Sequence, residues 1–232
     1  MQYYFAKEKK DNLFILNDDD MYHIKTVMRM NNKDNIVVTY HEKSYLCELD
    51  NNKIVIKNEL EQVCDNIPYV RIIIPLLKEQ KMDYILQKAT ELGVAEIVLY
   101  ESKRSIIKIN GKEEKKKNRW IKIMKEASEQ CHRNTIPKLT GILKLDELKN
   151  IDGLKLIAST REKSKNVKKI LKIYADCDKM NVVIGPEGGL DEQEEATLIE
   201  MDYIPTSFGN RIMRVETVPL FFLSIINYEN ME

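Results

Sequence analysis

The sequence predicts an α/β protein in two parts, a small β-rich unit over residues 1–67 and a larger unit over residues 68–232 built on a mainly parallel sheet. Two observations predict this. Short apolar segments separated by turn residues crowd the first part. In the second, apolar strands alternate with amphipathic helices, the rhythm of a parallel sheet covered by helices.

The first part holds one helix among its strands. In "DDDMYHIKTVMRM" an acidic N-cap precedes Met21, Ile24, Val27 and Met28 at helical spacing. Behind it come "NIVVTY", "KSYLCEL" and "KIVIK", with the turn signal "DNN" between the last two, so a small barrel or curled sheet is expected. "CDNIP" marks the linker. "YVRIIIP" then reads as a buried strand, and "KEQKMDYILQKATELG" as a helix placing Met82, Ile85, Leu86, Ala89 and Leu92 on one face, ended by Gly93. "AEIVLY", "KLIAS" and "NVVI" supply further strands, and "NRWIKIMKEASEQC" a long helix. The last helix, "VPLFFLSIINY", is apolar all round, which predicts burial on nearly every side, within a core or in a dimer interface.

Composition narrows the class. The 37 Lys and Arg balance 37 Asp and Glu, yet between Lys103 and Arg133 there are eleven basic residues against four acids, and between Asp176 and Asp202 nine acids against one Lys. Such segregation lets a neutral chain offer a polyanion a basic face, although "GKEEKKKNRW" alone reads equally as a solvated loop leading into a helix. Four separated cysteines and three histidines argue against a zinc site or a disulfide framework and for a reducing cytosol. No apolar run reaches membrane-spanning length, and "MQYYFAKEKKDN" lacks a signal-peptide core. A soluble, cytoplasmic protein without metal is expected.

Three signals carry chemistry. "VVIGPEGGLDEQEEATL" runs strand, glycine turn, helix, an arrangement that commonly cradles phosphate. Here Asp191, Glu192, Glu194 and Glu195 crowd the helix start and would repel phosphate, while they complement the helix dipole, and Asp191 with Glu194 has capping-box spacing. No lysine follows the glycines, so the loop is not a Walker A sequence. A neutral or cationic ligand fits it better. The second signal is "FGNRIMRVET", in which Arg211 and Arg214 bracket an apolar pair and Glu216 and Thr217 cap the last helix. The third is a set of polar residues on intervening elements: Glu91, Lys103, Arg104, Glu129, Gln130 and Arg133.

In order and spacing, "HIKTVMRM", "KEQKMDYILQKATELGVAEIVLYESKRSI", "EASEQCHRNTIP", "VIGPEGGLDEQE" and "FGNRIMRVET" resemble the small-subunit ribosomal RNA uridine N3-methyltransferase family over nearly the whole chain. The resemblance implies a PUA-like N-terminal β-barrel and a C-terminal SPOUT methyltransferase domain with a trefoil knot. It implies S-adenosylmethionine as cofactor, ribosomal RNA or the small ribosomal subunit as partner, and a homodimer. Carried over by position, the cofactor pocket would use Ser159, Thr160, Ile184, Gly185, Pro186, Glu187, Gly188, Gly189, Phe208, Gly209, Arg211, Ile212, Met213 and Arg214. A side chain placed at Gly188 is expected to meet the ligand. From chemistry and position, Arg214 would stabilise a uracil anion and Glu216 would orient that arginine or accept the N3 proton. Lys25, Arg29, Lys103, Arg104 and Arg133, with the lysines at 115–117, are the candidate RNA contacts. Met213, Val215 and Val218 stand where leucine, threonine and alanine are more usual, and Val215 removes a hydroxyl. The competing readings are a ribose 2′-O methyltransferase of the same superfamily and a non-catalytic RNA-binding or ribosome-assembly protein.

Overall fold

The alternating strands of the N-terminal part pair into one six-stranded sheet in the computed structural model of the chain, whose described residues are 1–61, 68–105 and 113–231. The chain divides into two units: Met1–Asp65 with Lys125–Ile136, and Asn66–Met124 with Pro137–Glu232.

In the first unit, β1 (Gln2–Phe5), β2 (Glu8–Lys10), β3 (Leu13–Ile15), β4 (Asn35–Tyr40), β5 (Lys43–Asp50) and β6 (Lys53–Glu59) lie in the order β1-β4-β5-β6-β3-β2. β1 runs parallel to β4, and the other pairings are antiparallel. Tyr4, Ile36, Val38, Cys47, Leu49 and Ile54 share the core. The tight turns between β4 and β5 (His41, Glu42) and between β5 and β6 (Asn51, Asn52) have both central residues at positive φ, the geometry that matches strand twist. Asparagine announces such a turn in the sequence; His-Glu does not. Among the described residues the sheet stays open rather than closing as a barrel. Its edge strand β2 is three charged, exposed residues, which discourages further pairing.

The helix of this unit departs from expectation. Asn17, not an acid, caps α1 (Asp18–Tyr22), its side chain accepting the Asp20 N–H at 2.8 Å. The chain then widens into a π-helical turn, His23–Val27, closed by Met28 N–H to His23 O at 2.9 Å. The extra residue in that turn rotates the next side chains off the core stripe. Ile24 is therefore buried, whereas Val27 and Met28 are exposed. Lys125 joins this unit by donating to both Asp20 oxygens (2.7 and 2.9 Å) and to Glu129 (2.6 Å), and Glu129 accepts the Phe5 N–H. Burial pushes the Glu129 carboxyl up, and burial reinforced by Glu129 and Asp20 raises the Tyr4 hydroxyl to about 12.

The second unit contains β7 (Tyr69–Pro75), β8 (Glu96–Tyr100), β9 (Lys138–Leu143), β10 (Leu154–Ala158), β11 (Lys179–Val183) and β12 (Ile204–Thr206), in the order β12-β10-β11-β7-β8-β9 and all parallel. Its helices are α2 (Glu79–Glu91), α3 (Glu113–Gln130, whose last residues from Lys125 belong to the first unit), α4 (Val167–Ile173), α5 (Glu192–Glu200) and α6 (Thr217–Glu229). A parallel sheet covered on both faces needs continuous apolar strands. Ile72, Ile73, Ile74, Val182 and Val183 are accordingly fully buried. α2 buries Met82, Ile85, Leu86 and Ala89 as its spacing predicts, and Asn227 on α6 donates to Leu92 O at 2.8 Å. α6 buries Val218, Pro219, Phe222, Leu223 and Ile226 but leaves Phe221 39% and Tyr228 74% exposed. One face of α6 thus points outward from the single chain, whose own core does not bury the helix all round. Among the described residues no helix is long and apolar enough to cross a membrane.

The N-terminal edge of this sheet is pinned by charge. Glu96 accepts from Arg71 (2.7 Å), Tyr69 (3.0 Å) and Thr140, and Arg71 also donates to Asn181 at 2.6 Å. Burial alone would raise the Glu96 carboxyl, but the hydrogen bonds from Thr140 and Arg71 outweigh it and hold it below the usual range. Depressed in the folded state, this carboxyl adds stability that is present above the unfolded glutamate pKa of about 4.3 and lost as pH falls through the folded value. Glu96→Ala is expected to cost roughly 1–3 kcal/mol by removing the acceptor shared by Arg71, Tyr69 and Thr140, while Asp152, 3.6 Å from Arg71, and Asn181 still hold the guanidinium. Urea unfolding at neutral and acid pH checks this; a loss that does not shrink on acidification would contradict it.

Candidate active site

Strand order dictates where a ligand can sit. The chain steps from β7 outward to β8 and β9, then crosses to the other side of β7 for β10, β11 and β12, and crevices in such sheets open at the C-terminal ends where the direction changes. There the ends of β10 and β11, the segment before α6, and Lys81 on α2 line a cavity of about 460 Å³.

Of the residues expected to bind cofactor, Ser159, Thr160, Ile184, Gly185, Pro186, Glu187, Gly188, Gly189, Ile212, Met213 and Arg214 line this cavity. Phe208 and Gly209 instead line a second groove, beside α4 and α6. Arg211 is exposed and lines neither. Lys81, Ala158, Arg161, Leu190, Glu195, Val215 and Val218 also line the first cavity, although the sequence does not single them out as cofactor ligands. Val215 and Val218 stand out there only as departures from a family pattern, and Glu195 only as part of the acidic helix start.

The glycine loop is a tight turn, Gly189 N–H donating to Pro186 O at 2.8 Å with Gly189 at φ 71°. A Cβ at Gly185 would lie 2.6 Å from the Leu190 nitrogen, so the turn itself requires glycine there. At Gly188 a Cβ would meet only Arg104, at 3.6 Å. The protein itself therefore leaves room for a side chain at Gly188, which also lines the cavity.

The acidic volley sorts into separate jobs. Asp191 caps α5, accepting the Gln193 N–H at 3.1 Å, while Glu194 reaches back to the Asp191 N–H at 3.0 Å, a reciprocal capping box. The Gln193 N–H, with Lys103 and Arg104, draws the Asp191 carboxyl below its usual range. Glu194 also accepts the Lys103 N–H at 2.8 Å and the Ser102 hydroxyl at 3.3 Å. Glu195 turns inward instead, accepting from Ser159 Oγ at 2.5 Å and from Arg161.

Cations tie the loops together. Arg104 Nη1 donates to Gly188 O at 3.0 Å and Nη2 to Asp191 at 3.4 Å, and Lys103 Nζ donates to Gln193 at 2.7 Å. Both proposed RNA contacts thus already grip the glycine loop and the start of α5. Lys81 Nζ lies 2.9 Å from Glu187 Oε1 and 3.4 Å from Glu216 Oε2. Burial works against the Glu187 charge, yet the Lys81 hydrogen bond holds its carboxyl low, and the same bond raises Lys81. Glu216 Oε2 is buried and, among the described residues, accepts no well-directed hydrogen bond; Lys81 approaches as an ion-pair partner only. Glu216 occupies the N-cap of α6 but makes no side-chain cap, and it pairs with Lys81 rather than orienting Arg214. The turn is closed by Thr217 and Val218 N–H to Arg214 O. Arg214 lines the cavity with an exposed side chain and, among the described residues, has no ion-pair partner.

The remaining basic candidates lie elsewhere. Lys25 and Arg29 are exposed in the first unit, on and just after the π-helical turn, and Arg133 of that unit donates to Thr135 Oγ1 at 3.3 Å. Lys115 and Lys117 are exposed on α3. Among the described residues no group of three or more His, Cys, Asp or Glu is placed to hold a metal ion.

Sheet order, glycine turn and crevice define an α/β protein with a cavity of small-ligand size beside the ends of its parallel strands. The chain belongs to the RNA methyltransferase domain family, whose match spans residues 65–227. It is 34% identical to the ribosomal RNA small subunit methyltransferase E of Bacillus subtilis, covering 99% of this chain and 97% of that protein. A crystal structure of the enzyme of that name from Neisseria gonorrhoeae, bound to S-adenosyl methionine, superposes with a TM-score of 0.86 at 27% identity, covering 98% of this chain and 97% of the other. A putative methyltransferase from Legionella pneumophila in complex with the same cofactor gives 0.85 at 25% identity, covering 98% and 96%.

Proposed function

We propose that this protein transfers the methyl group of S-adenosylmethionine to N3 of one uridine in small-subunit ribosomal RNA. The observation that carries the reading is the cavity lining. Leu190, Ile212, Met213, Val215 and Val218 give apolar walls, and the pairs Lys81–Glu187 and Arg161–Glu195, with Arg214, add charge of both signs. That lining suits a nucleoside with a sulfonium and an amino-acid tail, and its volume falls in the range of about 300–1,000 Å³ usual for small-molecule sites. The names and bound cofactor of the relatives support the same ligand and an RNA substrate.

When bound, S-adenosylmethionine supplies an electrophilic methyl group. The protein's own residues must hold uracil N3 in line and take its proton, because N3 is mostly protonated at neutral pH. Glu216 is read as the acceptor of that proton; its Oε2 is buried 3.4 Å from Lys81 and behind the residues that line the cavity, so the carboxylate must turn toward the substrate to take it. Arg214 faces the negative charge that develops on the uracil oxygens. Lys25, Arg29 and Arg133 contact phosphates from the first unit, whose residues 1–67 we read as a PUA-like RNA-binding domain, and Lys103 and Arg104 from the second. Residues 68–232, which hold most of the second unit together with the Lys125–Ile136 segment of the first, are read as a SPOUT domain with a knotted C-terminal chain. The substrate places the protein in the cytoplasm.

The test is methyl transfer to small subunits that lack the modification, mapped by mass spectrometry of the RNA. One methyl on N3 of a single uridine is expected. A methyl on a ribose oxygen would favour the 2′-O reading, and absence of both transfer and cofactor binding the non-catalytic one. The outward face of α6, with Phe221 and Tyr228, supports a homodimer, since exposed apolar patches mark contact surfaces. Sedimentation at micromolar concentration should give the dimer mass; a monomer would refute it.

A further inference from the structure

Arg161 and Glu195 form an ion pair that the capping of α5 does not require, since Asp191 and Glu194 already provide the cap. Both residues line the cavity. Glu195 is 7% exposed and fully engaged: Oε1 accepts from Ser159 Oγ at 2.5 Å, Oε2 from Arg161 Nη1. Ser159 Oγ in turn accepts the Arg161 N–H at 3.2 Å and the Glu162 N–H at 3.3 Å, fixing the turn that carries the arginine. Arg161 Nη2 donates to Leu190 O at 3.2 Å. Next to it, Glu162 accepts from Ser164 and Lys165, and these hydrogen bonds, led by the Lys165 N–H, bring its carboxyl down to about 2. The turn is thus anchored on both sides of Arg161.

A guanidinium carries five N–H donors. Two are committed here, leaving three on a side chain that is 44% exposed and borders the cavity. Its plane is held by two fixed acceptors, so little freedom is lost when the remaining edge takes a ligand oxygen. Carboxylate is the matching partner, because a planar fork of donors meets a planar pair of acceptors.

We infer that Arg161, oriented by Glu195 and Leu190 O, binds the carboxylate at the amino-acid end of the cofactor and thereby selects the whole molecule over nucleosides that lack that end. The inference rests on the reading that the cavity holds S-adenosylmethionine. Glu195 is on this view a positioning residue, and Arg161 a ligand-contacting one.

Two stable neutral thioethers separate the contribution of that end from everything else: S-adenosylhomocysteine, which has it, and 5′-methylthioadenosine, which does not. Calorimetry on the wild-type protein should find the first bound roughly tenfold to a hundredfold more tightly, the usual worth of a charge-assisted hydrogen bond. Arg161→Met should bring the first ligand down to the level of the second and change the second by less than about threefold. Arg161→Lys should retain part of the preference. Glu195→Gln, close in shape, should lose part of it by loosening the guanidinium. Equal weakening of both ligands in Arg161→Met would make the pair a structural pin only and overturn the inference, as would an unchanged preference. If the wild-type protein binds neither thioether nor S-adenosylmethionine, the cofactor assignment itself falls, and the inference with it.

Discussion

Replacing Arg214 with alanine is expected to lower kcat by roughly 10² to 10³, the typical loss of one electrostatic contact made in a transition state. The dissociation constants for cofactor and RNA should stay within a few-fold of wild type. The side chain borders the cavity, and among the described residues no carboxylate neutralises it, so its charge is available to a uracil oxygen. Its carbonyl closes the turn into α6 through Thr217 and Val218, which fixes the backbone from which the side chain projects and survives the substitution. Stabilisation present only in the transition state lowers kcat and kcat/KM together. Steady-state kinetics on small subunits, with separate binding measurements, would reveal the contrary case: affinity for RNA lost and kcat retained, the behaviour of a phosphate contact.

The second large effect is expected at Gly185. Its added Cβ would fall 2.6 Å from the Leu190 nitrogen and 3.0 Å from the Gly189 carbonyl carbon, backbone atoms that cannot rotate away. Relief requires the loop to move, and the loop is the cavity wall. Overpacking of this kind costs about 1–3 kcal/mol, so Gly185→Ala should weaken S-adenosylmethionine binding roughly tenfold to a hundredfold. Gly188→Ala should change it less than about threefold, because its Cβ would rest against Arg104 at an ordinary contact distance. Calorimetry on both variants, alongside thermal melts to confirm folding, decides the matter. The reverse ranking would mean that the ligand approaches from the Gly188 side.

These expectations divide along the line between local and distant information. Periodicity alone located β4 to β8, β10, β11, α2 and most of α3, because each buries an apolar face or run that its own spacing records. The asparagines at 51 and 52 announced their turn, and Asp191 with Glu194 announced the cap of α5. Weakly patterned elements escaped: the short strands β1, β2, β3 and β12, the half-exposed β9, seven-residue α4, the His41–Glu42 turn and the π-helical turn at His23–Val27, whose extra residue breaks the helical repeat.

By itself the sequence determined the strongly patterned strands and helices, that a glycine loop would precede an acid-capped helix, and most of the residues that wall the cavity. Only the tertiary structure decided which charges meet. Lys81 and Glu187 are 106 positions apart, Arg104 and Gly188 84, Arg161 and Glu195 34, and no local pattern couples them. They meet because the order β12-β10-β11-β7-β8-β9 sets the ends of β10 and β11 beside each other and β11 beside β7, whose chain leads to α2. Strand order is fixed by the burial of whole sheet faces, a property summed over the chain. The same sum returned Lys125–Ile136 to the first unit, where Lys125 answers the buried Asp20.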